Sequence, residues 1–213
     1  MGPESARPRQ RSGAPSPPVA LRPAAAWLDG AVDLLARELR EHHAPTAEHS
    51  HRAARVARAV ADEMALGSLE ATEAKLVAVL HDVGKLAIDP ELLDFPGRLS
   101  DRELERMRRH TIEGEELLAR TAGLEQLALA VRATHEAWDG SGYPDGLSGD
   151  EIPLTARIVA VVDAYDAMVS ARAYRTALSD AEATRRLEAG AGVQFDPGVV
   201  DALLRVLRRE GRA

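Results

Sequence analysis

Leu80-His81-Asp82-Val83-Gly84-Lys85 closes an apolar run that includes Leu76 and Val77. A plain core helix would carry leucine or alanine where His81 and Asp82 stand, because burying an ionisable pair is costly without compensation. A metal ion compensates, since neutral imidazole and carboxylate are both ligands and a carboxylate can bridge two ions. Taken alone, the pair is also explained by a histidine hydrogen-bonded to its neighbour at a helix end. What decides between the two is whether other apolar helices supply further ligands.

Working outward from this stretch, the helix that delivers it begins after Ser68. Upstream, Thr46 can cap a helix running through Ala53, Val56, Val60 and Met64 to Gly67, with His49 in its first turn. Before that, Trp27, Leu28, Ala31, Leu35 and Leu39 recur at helical spacing from Ala24 to about His42. Residues 1–23 hold six of the twelve prolines, with Arg7, Arg9, Arg11 and Arg22 against Glu4, and read as a disordered lead of charge about +3.

Downstream, Asp89-Pro90 opens a short helix, and Ser100 with Glu103 forms a capping box. The helix it opens places Leu104, Met107 and His110 on one face, and Leu124, Ala128, Val131 and His135 repeat the pattern. Trp138-Asp139-Gly140-Ser141-Gly142-Tyr143-Pro144-Asp145-Gly146 must be a loop, and one rich in aromatic and acidic side chains. Pro153 suits the first turn of the next helix, apolar through Ile158, Val161, Val162, Ala164 and Met168 but interrupted by Asp163 and Asp166. Three residues apart, these carboxylates share a face and would repel unless a cation sits between or beside them. Arg172 and Arg175 follow that helix, and guanidinium groups pair with phosphate through two parallel hydrogen bonds.

Ser179 to Glu182 is a further capping box, and Asp196-Pro197 opens a terminal helix that buries Val200, Leu203, Leu204 and Leu207. No convincing polar-apolar alternation occurs anywhere. The expected fold is all-α, one globular domain over residues 24–213 with about seven or more helices.

Composition narrows the chemistry. The 213 residues include no cysteine, so any metal is held by nitrogen and oxygen, which suits iron, manganese or zinc. A net charge of −7 argues against coating DNA or other nucleic acid. No run is long and apolar enough for a membrane span and no signal peptide is evident, which leaves the cytoplasm as the default location. Five separate helices thus contribute His49, His81 with Asp82, His110, His135 and Asp163, a set that points to a shared metal pocket.

Over about residues 43–205 the chain resembles the HD-GYP subgroup of the HD-domain metal-dependent phosphohydrolases. The likeness is carried by Thr46 to Arg52, by His81 to Lys85, by His110 with Gly114, by His135 to Leu147 with its Gly142-Tyr143-Pro144, and by Ile152 to Asp166. It implies a phosphodiesterase that opens cyclic di-GMP to pGpG, and in some members on to GMP, by two-metal activation of water. It further implies metal ligation by His49, His81, Asp82, His110, His135 and Asp163, with Asp82 as the bridge and two divalent ions such as iron or manganese. Lys85 and Arg172, and less directly Arg175, would contact phosphate, and Gly142, Tyr143 and Pro144 would shape the substrate groove. Asp166 would either accept a proton from the attacking water or orient a histidine.

Two positions depart from the family pattern. Thr134 stands where a second histidine usually precedes His135, and Pro45 stands where some members carry a glutamate ligand for a third metal. The first departure favours an alternative in which the protein binds cyclic di-GMP, or a diguanylate cyclase, without turnover. The helix from Trp27 to Leu39 could serve a homodimer or pack on the core.

Overall fold

The computed structural model describes residues 25–170 and 176–212. The N-terminal lead, the side chains of Trp27 and Leu28, and Arg172 and Arg175 lie outside them. The described chain is helical, with no strand beyond an isolated bridge between Ala191 and Phe195.

Three helices open the fold: α1 (Ala25–His42), α2 (Ala44–Glu63) and α3 (Ser68–Leu80). A 3-10 turn, Val83–Ala87, leads to the short α4 (Pro90–Leu93), then α5 (Asp101–Arg108), α6 (His110–Ala119) and α7 (Glu125–Arg132). A second 3-10 turn, Ala133–His135, precedes the loop, a third spans Gly149–Glu151, and α8 (Leu154–Val169), α9 (Asp180–Gly190) and α10 (Pro197–Arg209) complete the chain.

The second helix is the hub, packed against α1, α3, α8 and α10. Its inward face is mostly small, with Ala53, Ala57, Val60 and Ala61 fully shielded, and α3 answers with Ala71, Ala74, Val77 and Ala78. Small side chains let helix axes approach closely, so the bulk of the core comes from the other partners. Ile158, Val159, Val161 and Val162 of α8 and Leu203 and Leu207 of α10 supply it.

Several boundaries differ from the sequence-based expectation. The cap of α2 is His43, whose ring Nδ1 accepts from the Thr46 amide at 3.3 Å and pairs with the Thr46 hydroxyl at 2.7 Å. The helix therefore starts two residues before Thr46, and Pro45 occupies its first turn, where no amide hydrogen is needed. The helix opened by Ser100 stops at Arg108, so His110 begins α6 rather than extending an apolar face. Indeed α5 buries no residue, and Leu104 is exposed. Pro153 is the residue before α8 rather than part of its first turn. Ser179 caps α9 through the Glu182 amide at 3.2 Å, but the Glu182 carboxylate is taken by Arg185 and Arg186 and does not reach back.

One contact aligns two parts of the site. A Cβ on Gly84 would stand 1.9 Å from the His110 carbonyl oxygen and 2.5 Å from the Gly114 amide nitrogen. Only glycine lets the turn after Asp82 lie against the first turn of α6, and that approach brings Asp82 beside His110.

Candidate metal centre

The six expected ligands converge from five places in the chain. His49 projects from the early part of α2, His81 and Asp82 follow α3, His110 opens α6, His135 ends the 3-10 turn after α7, and Asp163 lies within α8. Their ligand atoms form two groups: His49, His81 and Asp163, and then Asp82, His110 and His135, each with its atoms within 4.8 Å of one another. Asp82 faces both, with Oδ2 3.5 Å from His81 Nε2 and Oδ1 3.5 Å from His110 Nε2.

Backbone carbonyls orient two of the rings. His81 Nδ1 donates to the Ala78 carbonyl at 2.8 Å, and His110 Nδ1 donates to that of Met107 at 2.7 Å. Each donation assigns the proton to Nδ1 and leaves the Nε2 lone pair facing the pocket, as a metal ligand requires. Asp82 Oδ1, His110 Nε2 and His135 Nε2 are buried without a hydrogen-bond partner among the described residues. Three such atoms in one group are unfavourable in a dry core and fit a divalent cation with nitrogen and oxygen donors.

Electrostatics separate the two groups. Burial holds His110 down, to about 4, against the attraction of Asp82, and burial likewise lowers His135. Both therefore stay neutral and ligand-competent at pH 7. Burial also opposes a charge on His49, but its hydrogen bonds to Asp163 and Asp166 prevail and push it up to about 9. His49 donates through Nε2 to Asp163 Oδ1 and through Nδ1 to Asp166 Oδ2, both at 2.6 Å. Without a metal, the cation between the two carboxylates of α8 is the imidazolium, and a metal taken up at Nε2 would displace a proton. Against their own desolvation, Asp82 is held well below the carboxylate range by Lys85, His81 and His110, and Asp166 is held at about 2 by His49 and Arg52.

Asp166 belongs to neither group. Besides His49 it accepts from Arg52 Nε and Nη2, each at 3.0 Å, and from the Ser170 hydroxyl at 3.2 Å. Lys85 donates to Asp82 Oδ2 at 2.7 Å and is half-buried. Thr134 is buried, and its hydroxyl donates back to the Val131 carbonyl at 2.9 Å.

The Gly142-Tyr143-Pro144 loop folds onto the second group. A Cβ on Gly142 would lie 2.2 Å from the Ala137 amide nitrogen, so the backbone closes on itself only with glycine there. Tyr143 donates its amide to the His135 carbonyl at 3.1 Å and stacks on the His135 ring, with centroids 5.2 Å apart and planes within 5°. The guanidinium of Arg108 lies 5.1 Å from the Tyr143 ring centre. Sequence reasoning assigned no role to Arg52 or Arg108. The first sits one turn beyond His49, which was a usable signal, whereas nothing in the local pattern marks the second.

A family model described as HD domain matches residues 33–199. The cyclic di-GMP phosphodiesterase response regulator RpfG of Xanthomonas campestris is 43% identical over 173 residues, which cover 80% of this chain and 46% of that protein. A 3'3'-cGAMP-specific phosphodiesterase 2 of Vibrio cholerae is 38% identical over 179 residues, covering 83% of this chain and 33% of the relative. The chain therefore spans less than half the length of either. Among solved structures, an HDG"Y"P protein of Bdellovibrio bacteriovorus superposes with a TM-score of 0.64 at 18% identity, over 84% of this chain and 62% of its own, a likeness of fold.

Proposed function

The chain belongs to the HD domain family, and from that premise we propose that it is a metal-dependent phosphodiesterase that opens cyclic di-GMP to pGpG, with GMP as the product of any second cleavage. The observation that carries the reading is the pair of ligand groups joined by the two oxygens of Asp82. The name of the 43%-identical relative supports the substrate.

His49, His81 and Asp163 would hold one divalent cation and His110 and His135 a second, with Asp82 shared, and iron or manganese suits these donors. Such ions supply an acidified water and positive charge for phosphoryl oxygens. The protein's own part is positioning. Backbone carbonyls present His81 and His110, Asp166 presents His49, and the buried walls keep His110 and His135 neutral. The Lys85 ammonium, paired with Asp82, would meet a phosphate oxygen, and Arg172 and Arg175 would add bidentate contacts. Asp166, occupied by His49, Arg52 and Ser170, is better suited to orienting His49 than to taking a proton from water. Gly142, Tyr143 and Pro144 would border the groove.

The same proposal carries a cytoplasmic location, where a nucleotide messenger would be met, and an encounter with a diguanylate cyclase. Leu34, exposed on α1, is where a homodimer contact would be sought. No helix among the described residues is long and apolar enough to cross a membrane.

One observation favours a second reading, binding without turnover: Thr134 offers its helix a hydroxyl where a further imidazole would serve a metal. Metal analysis followed by incubation with cyclic di-GMP and Mn(II) or Fe(II) separates the two. Release of pGpG or GMP that vanishes in Asp82→Ala supports the enzyme, whereas tight binding with no product rejects it. Running 3'3'-cGAMP in parallel tests whether the substrate is instead that of the second relative.

A further inference from the structure

Glu136, Trp138, Ile152, Arg157, Gln194 and Asp196, none of them in either ligand group, line a cavity of about 10 Å³. That is about the least space that holds one water molecule. Glu136 is buried, and its Oε1 accepts the Asp145 amide at 2.7 Å. Its Oε2 has no hydrogen-bond partner among the described residues, and neither does the buried Nε of Arg157. One unpaired acceptor and one unpaired donor, both on residues that line a water-sized cavity, call for a molecule that can both donate and accept. Water does this, giving a hydrogen to Glu136 Oε2 and receiving one from Arg157 Nε.

Arg157 is itself anchored. Its Nη1 donates to Asp150 Oδ1 and to Asp196 Oδ2, both at 2.9 Å, and its guanidinium lies 5.6 Å from the Trp138 ring centre. The loop is pinned to the same place by its backbone, since the Trp138 and Asp139 amides donate to the carbonyls of Gln194 and Val193 at 3.1 and 2.9 Å. Glu136 directly follows His135 and ties the far end of the loop at Asp145.

We propose that Glu136 and Arg157, bridged by one water in this cavity, act as a strut that positions the Gly142-Tyr143-Pro144 loop and the adjacent ligand His135. Neither is a catalytic residue. The strut rests on the reading of Asp82, His110 and His135 as a metal group, and it adds that the fit of this group is set by residues outside it.

The test uses the full chain with Trp27→Phe, which leaves Trp138 as the sole tryptophan. Glu136→Ala, Glu136→Gln and Arg157→Lys are compared by circular dichroism, Trp138 emission, electron paramagnetic resonance titration of bound Mn(II), and kinetics with cyclic di-GMP. Loss of an outer partner of a ligand typically weakens a metal 10–100-fold. The expected result for Glu136→Ala is one Mn(II) step weakened by about tenfold with the other unchanged, a red shift of Trp138 emission, and a KM that rises while kcat stays within about twofold. Glu136→Gln, which keeps an oxygen for Asp145, and Arg157→Lys should shift the same quantities less. Folded Glu136→Gln and Arg157→Lys proteins with the parent's Mn(II) steps and Trp138 emission would overturn the strut. A parent that binds Mn(II) but leaves cyclic di-GMP intact would count against the proposed substrate alone, because the metal steps and Trp138 emission still decide the strut.

Discussion

Asp166→Asn keeps the shape of the side chain on α8 but leaves one acceptor oxygen where there were two. The carboxylate now accepts from His49 Nδ1 at 2.6 Å through Oδ2 and from Arg52 through both oxygens. In either amide orientation the new NH2 meets a donor, on His49 or on Arg52. If it meets His49, the ring keeps an unsatisfied Nδ1–H or turns to the other tautomer, which places a proton on the atom meant for metal. A buried donor left unpaired costs about 1–3 kcal/mol, equivalent to roughly 5–150-fold in affinity. Titration with Mn(II) should therefore show the step assigned to His49, His81 and Asp163 weakened by about 10–100-fold, with kcat recovering to within a few-fold at saturating metal. Unchanged metal affinity with kcat down by about 100-fold at saturation would refute the positioning role and make Asp166 a proton acceptor.

Stability of the metal-free protein should depend on pH with a definite sign. His49 has its pKa raised from 6.5 to about 9, so its contribution is full below pH 6.5 and lost as pH climbs to 9. His110 is lowered to about 4 and takes up a proton more readily when unfolded, so stability also falls as pH drops from 6.5 toward 4. Melting in chelator should thus peak near pH 6.5, and a Tm that keeps rising to pH 9 would contradict the paired imidazolium. Gly84→Ala must move backbone to relieve its 1.9 Å contact. Overpacking of about 1–3 kcal/mol, at about 2–4 °C per kcal/mol for a chain of this size, predicts a calorimetric Tm lower by roughly 2–12 °C. Gly30→Ala, in open space on α1, should raise the Tm slightly as helix propensity improves. Tyr143→Phe keeps the ring stacked on His135 and should retain Mn(II) affinity, whereas Tyr143→Ala loses an aromatic pair of about 0.5–1.5 kcal/mol, or roughly two- to twelvefold. Equal losses in the two variants would point to the hydroxyl instead.

The helical class and most helix bodies were legible because apolar spacing records which face is inward. Candidate ligand types stood out for the opposite reason, since His81, His110 and Asp163 interrupt that spacing with groups that do not belong in a core. The start of α2 was not, because an imidazole cap is chemically able but statistically uncommon beside a threonine two residues from Ala44. His110 was placed inward by a helix that in fact ends before it. Its burial comes from the Gly84 turn, a tertiary contact that periodicity cannot register. The division into two ligand groups, the clamp of His49 between Asp163 and Asp166, and the stack of Tyr143 on His135 all join residues far apart in the chain. Spacing named the participants but held no information about which of them meet.

His49 and Asp163 touch across a separation of 114 positions in the chain. During synthesis, then, a nascent chain carries His49 and His81 long before Asp163 has left the ribosome. Closing so long a loop costs entropy that one ligand pair cannot repay early. Capture of an ion by His49, His81 and Asp163 would thereby wait until the hub and α8 have docked, and an ion there would act as a clasp on a finished bundle rather than a seed for it.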